Sequence, residues 1–248
     1  MLEQENIWKE HTSSMTVDSI IDSYHNPAIF QKELSDYLNK MLNGKGKAIE
    51  VGCEQGITSF LLDCEQRCFF DFNEDILEKD REAHKILQPE RIKDTFVQGD
   101  MFDMPFADNT FDIVFNAGVL EHYQSDEIVH ALKEMGRISK GKIVVAIPNH
   151  FCIVYRSAYL FGMLLDRLKI KKWVYPPEHK FYDLCEEIER AGLILEKRIV
   201  MSKKSIWIWW GGEKYTLIRA MFRAIDKLKP IEGYLTVLVI SKTSLNLS

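Results

Sequence analysis

Lys47-Ala48-Ile49-Glu50-Val51-Gly52-Cys53-Glu54-Gln55-Gly56 reads as a short apolar strand running into a tight turn bounded by glycines. The next apolar residues, Ile57, Phe60, Leu61 and Cys64, recur at three- and four-residue spacing, the period of a helix laid on a sheet. Strand, glycine turn and helix in that order make the first unit of a parallel α/β sheet. Gly52 and Gly56 have no Cβ, so the backbone there can come close to a ligand.

Working outward, the same alternation continues. Strands are expected at Arg67–Asp71, Thr95–Gly99, Asp112–Asn116 and Lys142–Ile147. Asn73 is placed to cap a helix whose first turn carries Glu74 and Asp75, where the helix dipole favours negative charge. Ser125 is placed to cap another, with Ile128, Val129, Leu132 and Met135 facing inward. Upstream, residues 17–43 read as helical, with Ile29, Leu34, Leu38 and Leu42 as core positions. Downstream, an apolar, aromatic and basic stretch over 151–178 ends in Pro176-Pro177 and precedes a helix at about 181–191. A strand at Leu193–Met201, the run Trp207-Ile208-Trp209-Trp210-Gly211-Gly212, a basic amphipathic helix near 214–228 and a last strand at Tyr234–Ile240 complete the pattern. The expectation is one domain over 1–248. It has an N-terminal helical extension (1–45), a ligand-binding core (46–150), an insertion capping an acceptor pocket (151–180), and C-terminal helices with closing strands (181–248).

Composition narrows the class. Of the 248 residues, 46% are hydrophobic and 28% charged, the balance of a globular chain able to bury a core. A net charge of −5 argues against a nucleic-acid backbone as partner. Five cysteines without a spacing framework point to a reducing compartment, and the acidic start Met1-Leu2-Glu3-Gln4-Glu5 does not read as a secretory signal, so a cytoplasmic location is expected. The longest apolar stretch, Phe151 to Leu165, is interrupted by Arg156 and falls short of the roughly 20 residues of a spanning helix.

In an open parallel sheet, ligands bind at the carboxyl ends of the strands. Asp71 ends the second strand about 20 residues after Gly52, the usual separation for a carboxylate that binds ribose hydroxyls. Gly99-Asp100-Met101-Phe102 ends the third with an acid for an exocyclic amine and two apolar side chains to pack on a base. Asn116-Ala117-Gly118 ends the fourth with small residues that leave room. A dinucleotide fingerprint starting at Gly52 would require glycines where the chain has Glu54 and Ile57.

On these residues the chain resembles the class I S-adenosylmethionine-dependent methyltransferases of the small-molecule type. The resemblance is carried by Ile49-Glu50-Val51-Gly52-Cys53 with Gly56, Asp71, Gly99-Asp100-Met101, Phe111-Asp112-Ile113-Val114-Phe115-Asn116 and Val119-Leu120-Glu121-His122, in family order over roughly residues 45–148. It implies a Rossmann-like, doubly wound, mostly parallel seven-stranded sheet with helices on both faces. It also implies S-adenosyl-L-methionine as cofactor and S-adenosyl-L-homocysteine as product. Glu50, Gly52, Cys53 and Gly56 would flank the methionine part. Asp71 would bind the ribose hydroxyls with Asn73 beside it, Phe72 would contact the adenine, and Asp100 would bind the adenine amino group with Met101 and Phe102 alongside. Backbone groups of Asn116 and Ala117 would border the methionine end. Glu54 departs from the family, where glycine is common; its side chain is expected to point away from the cofactor carboxylate, or the loop to differ in shape.

Methyl transfer to O or N of a small molecule is an in-line displacement, so positioning and exclusion of water supply much of the rate. His122, with Glu121 beside it, is the candidate base, against a purely structural role for both. Some ubiquinone-pathway O-methyltransferases place an acid three residues before a similar Glu-His pair and use a metal; here that position is Gly118, and no metal is assigned. Cys64 and Cys68 could share a helix face, yet no second Cys/His cluster completes a zinc site. Tyr24, His122, Tyr123, His150, Tyr155, Tyr159 and Trp173 are the candidates to line a pocket for a lipophilic or aromatic acceptor, with Tyr175 and His179 nearby; an ordinary core is the simpler reading of such aromatics. Arg167, Lys169, Lys171 and Lys172 beside apolar residues raise membrane-surface contact, as do the basic residues of the 214–228 segment. A solvated basic face over a core-facing stripe is favoured. The Asn/Asp-Pro-Pro-aromatic motif of amine-DNA methylases is replaced by Asn116-Ala117-Gly118-Val119, so DNA is not expected as substrate. Two other readings use the same motifs: a non-catalytic S-adenosylmethionine-binding partner subunit, and a nicotinamide-dependent oxidoreductase.

Overall fold

The computed structural model describes residues 2–170, 178, 183–203 and 232–242. The expected Trp207–Gly212 run, the 214–228 helix, Trp173, Tyr175, Pro176-Pro177 and His179 lie outside these residues.

Seven strands form one sheet: β1 (Lys47–Val51), β2 (Gln66–Asp71), β3 (Thr95–Gln98), β4 (Phe111–Ala117), β5 (Ser139–Pro148), β6 (Leu193–Met201) and β7 (Leu235–Lys242). Their spatial order is β3-β2-β1-β4-β5-β7-β6. The first five are parallel and β7 is antiparallel to both its neighbours. This is the doubly wound, mostly parallel sheet that the motif order implies. Its inner strands are apolar on both sides because both faces are covered.

Eight helices flank it among the described residues: α1 (Leu2–Ser13), α2 (Val17–His25), α3 (Ile29–Leu42), α4 (Ile57–Phe60), α5 (Glu74–Leu87), α6 (Ser125–Ile138), α7 (Ile153–Arg167) and α8 (Cys185–Arg190). On one face Val51, Phe70, Val114 and Val145 pack beneath Ile128, Leu132 and Met135 of α6 and Ile188 of α8. On the other, Ile113, Phe115 and Val144 meet Leu34, Leu38 and Leu42 of α3, while Phe69 meets Ile76 and Leu77 of α5.

The structure corrects several local expectations. The 17–43 segment is two helices, broken at Asn26-Pro27-Ala28, and Ile29 is only partly buried in the first turn of the second. The helix after Gly56 stops at Phe60. Arg67 Nη1 donates to the carbonyls of Phe60 (2.8 Å) and Ser59 (3.2 Å), and Asn39 Nδ2 donates to Leu61 O (3.0 Å), so side chains take the carbonyls a further turn would use. Cys64 and Cys68 therefore share no helix face: Cys64 sits in the core on the α3 side and Cys68 on β2 in the α6 side. Ser125 begins α6 rather than capping it. Glu127 accepts from the Gln124 N–H at 2.9 Å, while Ser125 Oγ donates to Glu187 Oε1 at 2.6 Å and ties α6 to α8. Asn73 caps α5 as expected, accepting from Asp75 N at 3.2 Å.

Arg67 is the largest side chain that is fully buried. Its Nε donates to Asp94 Oδ2 at 2.8 Å and its backbone N–H to Oδ1 at 2.9 Å, and His84 Nε2 lies 3.0 Å from the same carboxylate. Burial alone would raise the Asp94 carboxyl, but the hydrogen bonds from His84 and Arg67 hold it far below the usual range.

Candidate functional site

A cavity of about 480 Å3 opens at the carboxyl ends of β1 to β4. This is where the strand order reverses about β1 and where a doubly wound sheet leaves a crevice. Its size is that of a small-molecule site.

The β1 turn builds one wall. Gly52 and Cys53 donate backbone N–H groups to Phe70 O at 2.8 and 3.1 Å, which folds the loop back over β2. Gly52 has φ +75°, and a Cβ there would stand 2.8 Å from Val119 Cγ2. Both the left-handed backbone and the close approach require glycine. Glu54 also takes a positive φ, 49°, the conformation a glycine would adopt freely. Its backbone N–H donates to Asp71 Oδ2 at 3.0 Å, and the Asn73 N–H donates to Oδ1 at 3.0 Å. Each Asp71 oxygen keeps a further lone pair for a ligand hydroxyl. Burial pushes this carboxyl up to about 6, although the backbone hydrogen bonds from Asn73 and Glu54 oppose that.

The β3 and β4 ends build the opposite wall. Asp100 Oδ1 accepts from the Phe102 N–H at 2.9 Å, which orders the turn and leaves Oδ2 for a donor. The Phe102 ring meets Tyr123 edge-on at 5.6 Å between centroids. Ala117, Gly118 and Val119 close that side.

The roof is α1, which supplies Trp8, Lys9 and Thr12 to the lining. Asn73 Nδ2 donates to Thr12 Oγ1 at 2.8 Å, His11 Nε2 lies 3.0 Å from Glu54 Oε1, and Trp8 meets His122 edge-on at 5.2 Å. The Glu54 side chain, expected to avoid the ligand, is thus turned to α1. None of the three lining residues of α1 was singled out from the sequence. Their helix shows no marked apolar stripe, the signal by which packed helices are read.

The residues picked from sequence separate into those that meet at the cavity and those that do not. Gly52, Asp71, Phe72 and Asn73 line it, with Asp100, Met101, Phe102, Ala117 and Tyr123. Glu50 is buried behind the loop, accepting from Ser59 N (3.1 Å) and Ser59 Oγ (2.6 Å), so it shapes the loop and does not face the cavity. Burial pushes its carboxyl up to about 8, against the two Ser59 hydrogen bonds. Cys53 is buried toward Asp80, and a Cβ at Gly56 would strike Phe69 at 2.5 Å, so that glycine serves packing. Asn116 turns its side chain toward Met135 of α6, and its Oδ1 finds no hydrogen-bond partner among the described residues.

Glu121 and His122 lie in the single tight turn after β4, 2% and 4% exposed. Glu121 Oε1 is 3.7 Å from where a Cβ on Gly118 would sit, and Gly118 itself lines the cavity. No side chain at Gly118 therefore stands between that carboxyl and the cavity wall. Glu121 Oε2 has no hydrogen-bond partner among the described residues, and burial pushes the carboxyl up to about 8.

Tyr24 does not join the site. On α2 and partly buried, it packs edge-on against Phe60 at 6.0 Å, and its hydroxyl accepts from Gln88 Nε2 at 3.1 Å, at the edge of the core cluster that holds Ile76 and Leu77 of α5. His150 follows β5, and Tyr155 and Tyr159 form the buried side of α7. The Tyr155 hydroxyl donates to Glu178, and its ring meets Tyr234 edge-on at 5.0 Å. None of these three lines the cavity itself.

The S-adenosylmethionine expected from the motifs fits what is present. A buried carboxylate with spare lone pairs, a cradle that a Cβ would fill and apolar walls of Phe72, Met101 and Phe102 suit a nucleoside joined to an amino acid.

Comparison with known proteins agrees. Residues 49–145 match the family model described as a methyltransferase domain. The demethylmenaquinone methyltransferase of Bacillus cereus is 28% identical over 139 residues, covering 50% of this chain and 57% of that protein. The human eEF1A lysine and N-terminal methyltransferase is 22% identical over 147 residues, covering 57% of this chain and 21% of that protein. The chain thus spans between about a fifth and just over half of the length of these curated relatives. Among solved structures, magnesium protoporphyrin IX methyltransferase from Synechocystis, with bound S-adenosylhomocysteine, aligns with a TM-score of 0.60 at 13% identity, covering 96% of this chain and 94% of that one. The geranyl diphosphate C-methyltransferase of Streptomyces coelicolor aligns at 0.59 and 11% identity, covering 91% and 82%. At such identities the likeness is one of fold.

Proposed function

We propose that residues 49–145, which match the methyltransferase-domain model, form a class I S-adenosylmethionine-dependent methyltransferase core, and that the chain is an enzyme moving a methyl group to O or N of a small-molecule acceptor. The observation that carries this reading is the placement of Glu121, a buried carboxyl with one oxygen unpartnered among the described residues, directly behind Gly118 of the cavity wall.

S-Adenosylmethionine, when bound, supplies a sulfonium-activated methyl group. Asp71 would hold the ribose hydroxyls, and Asp100 with Met101, Phe102 and Phe72 would hold the adenine. The Gly52–Glu54 backbone with Ala117 and Gly118 would border the methionine end. Trp8 and Thr12 of α1 cover the cavity and exclude water, which strengthens every polar contact inside. Glu121 would take the proton that the acceptor O–H or N–H loses, onto a carboxylate oxygen. A carboxyl raised to about 8 is a stronger base than an ordinary one and still ionises near neutral pH. His122, edge-on to Trp8, would keep α1 and the Glu121 turn in register.

Lipophilic acceptors are favoured, because proteins similar to this chain are named for protoporphyrin, geranyl diphosphate and demethylmenaquinone. Calorimetric titration with S-adenosylmethionine and S-adenosylhomocysteine tests the premise. Micromolar binding by wild type, weakened about tenfold or more in Asp71→Ala, is expected for loss of hydrogen bonds to a charged group. Absence of binding at millimolar ligand by the folded wild type would overturn it.

A further inference from the structure

Helix α7 carries apolar side chains on two sides. Val154, Tyr155 and Tyr159 point inward, 4–7% exposed. Ile153, Leu160, Leu164 and Leu168 recur along the opposite side at 64%, 60%, 50% and 57% exposure, with Ile170 at 68% beyond the helix end. A surface helix normally turns polar residues to water, so a continuous exposed apolar side marks a contact with something else. The same end of the helix is basic: Arg167 and Lys169 are exposed, and Lys171 and Lys172 follow in sequence. A chain of net charge −5 thus sets two exposed cations, Arg167 and Lys169, beside one exposed acid, Asp166, at the end of this apolar strip.

We propose that the outer side of α7 docks on an anionic phospholipid membrane, with Leu160, Leu164 and Leu168 in the headgroup–acyl boundary and Arg167 and Lys169 against the lipid phosphates. An apolar side edged by Lys and Arg is the chemistry of an interfacial helix. The charges favour this occupant over a second copy of the chain, because Asp166 is the one acid in α7 to receive a copy's basic residues. No helix among the described residues is long and apolar enough to cross a membrane, so the contact is peripheral. A lipophilic acceptor dissolved in the bilayer would then lie at the docked face. Docking rests on the surface alone; that the acceptor is drawn from the membrane rests on the methyl-transfer reading.

Vesicle sedimentation of the cofactor-free protein reads docking without catalysis. Wild type is expected to pellet with phosphatidylcholine vesicles containing phosphatidylglycerol and much less with phosphatidylcholine alone. The pair Leu160→Glu and Leu164→Glu should lower the partition coefficient about tenfold or more, through lost apolar burial. The pair Arg167→Glu and Lys169→Glu should lower it several-fold on the mixed vesicles only. This second pair tests docking even if the first disturbs folding, and S-adenosylhomocysteine binding by each variant separates lost docking from a lost fold. Failure of wild type to pellet, or equal pelleting by both variant pairs, overturns the proposal. So does a dimer in vesicle-free sedimentation velocity that the leucine variants split, which would assign the surface to a second copy.

Discussion

His11 Nε2 of α1 lies 3.0 Å from Glu54 Oε1, so the N-terminal helix is tied to the glycine loop at the position where the family resemblance implies a glycine. Glu54 holds a left-handed φ of 49° there. The residue bears the backbone cost of that conformation and in return anchors the roof of the cavity.

Glu54→Gly separates these two effects. Glycine relieves a backbone cost of about 1 kcal/mol, while loss of the His11 partner loosens α1. Thermal stability should therefore change little, while amides of α1 lose hydrogen-exchange protection and S-adenosylhomocysteine dissociates several-fold faster. Unchanged exchange in α1 would show that Thr12 and Trp8 suffice to hold it.

Glu121→Gln keeps size and removes the base. Turnover should fall about 100-fold or more with cofactor affinity unchanged. In wild type the rate should rise with pH as the carboxyl, raised to about 8, ionises. A rate that is flat from pH 6 to about 9 would remove Glu121 from proton transfer.

Stability should run in the opposite direction. Glu50 and Glu121 have folded values of about 8 against an ordinary 4.5, so in that window the folded chain binds more protons than the unfolded one. Their contribution is complete below about 4.5 and is lost as pH rises through about 8. The melting temperature is expected to drop over this range, and Glu121→Gln should reduce the drop. Differential scanning calorimetry across the range checks the sign.

Asp94→Ala leaves the Arg67 guanidinium buried without its carboxylate. A loss of about 3–5 kcal/mol is expected, read from urea denaturation. Replacing Arg67 and Asp94 together by Met and Leu should recover part of it, since the buried charge is then gone.

The strand ends were legible because they are local patterns. Runs rich in apolar residues that follow a glycine placed β1 at Lys47–Val51 and β6 at Leu193–Met201 with their observed limits. Asp71 and Gly52 follow from the same reading, since strand, turn and spacing lie within one segment. The placement of Tyr24 among the acceptor residues has no such support, and the structure puts it on α2 against Phe60, away from the cavity lining.

What the sequence by itself determined is the doubly wound sheet, its switch point and the nucleoside-type residues at the ends of its first four strands. Those depend on periods of two and 3.6 residues and on glycine's freedom, all encoded between near neighbours. Only the tertiary structure decided which distant groups meet: α1 over the cavity, Arg67 with Asp94, Glu121 behind Gly118, and the outward turn of Leu160 and Leu164. A helix that is apolar on two sides has no inward face until the sheet beneath it exists. A buried charge has no partner until the chain brings one across.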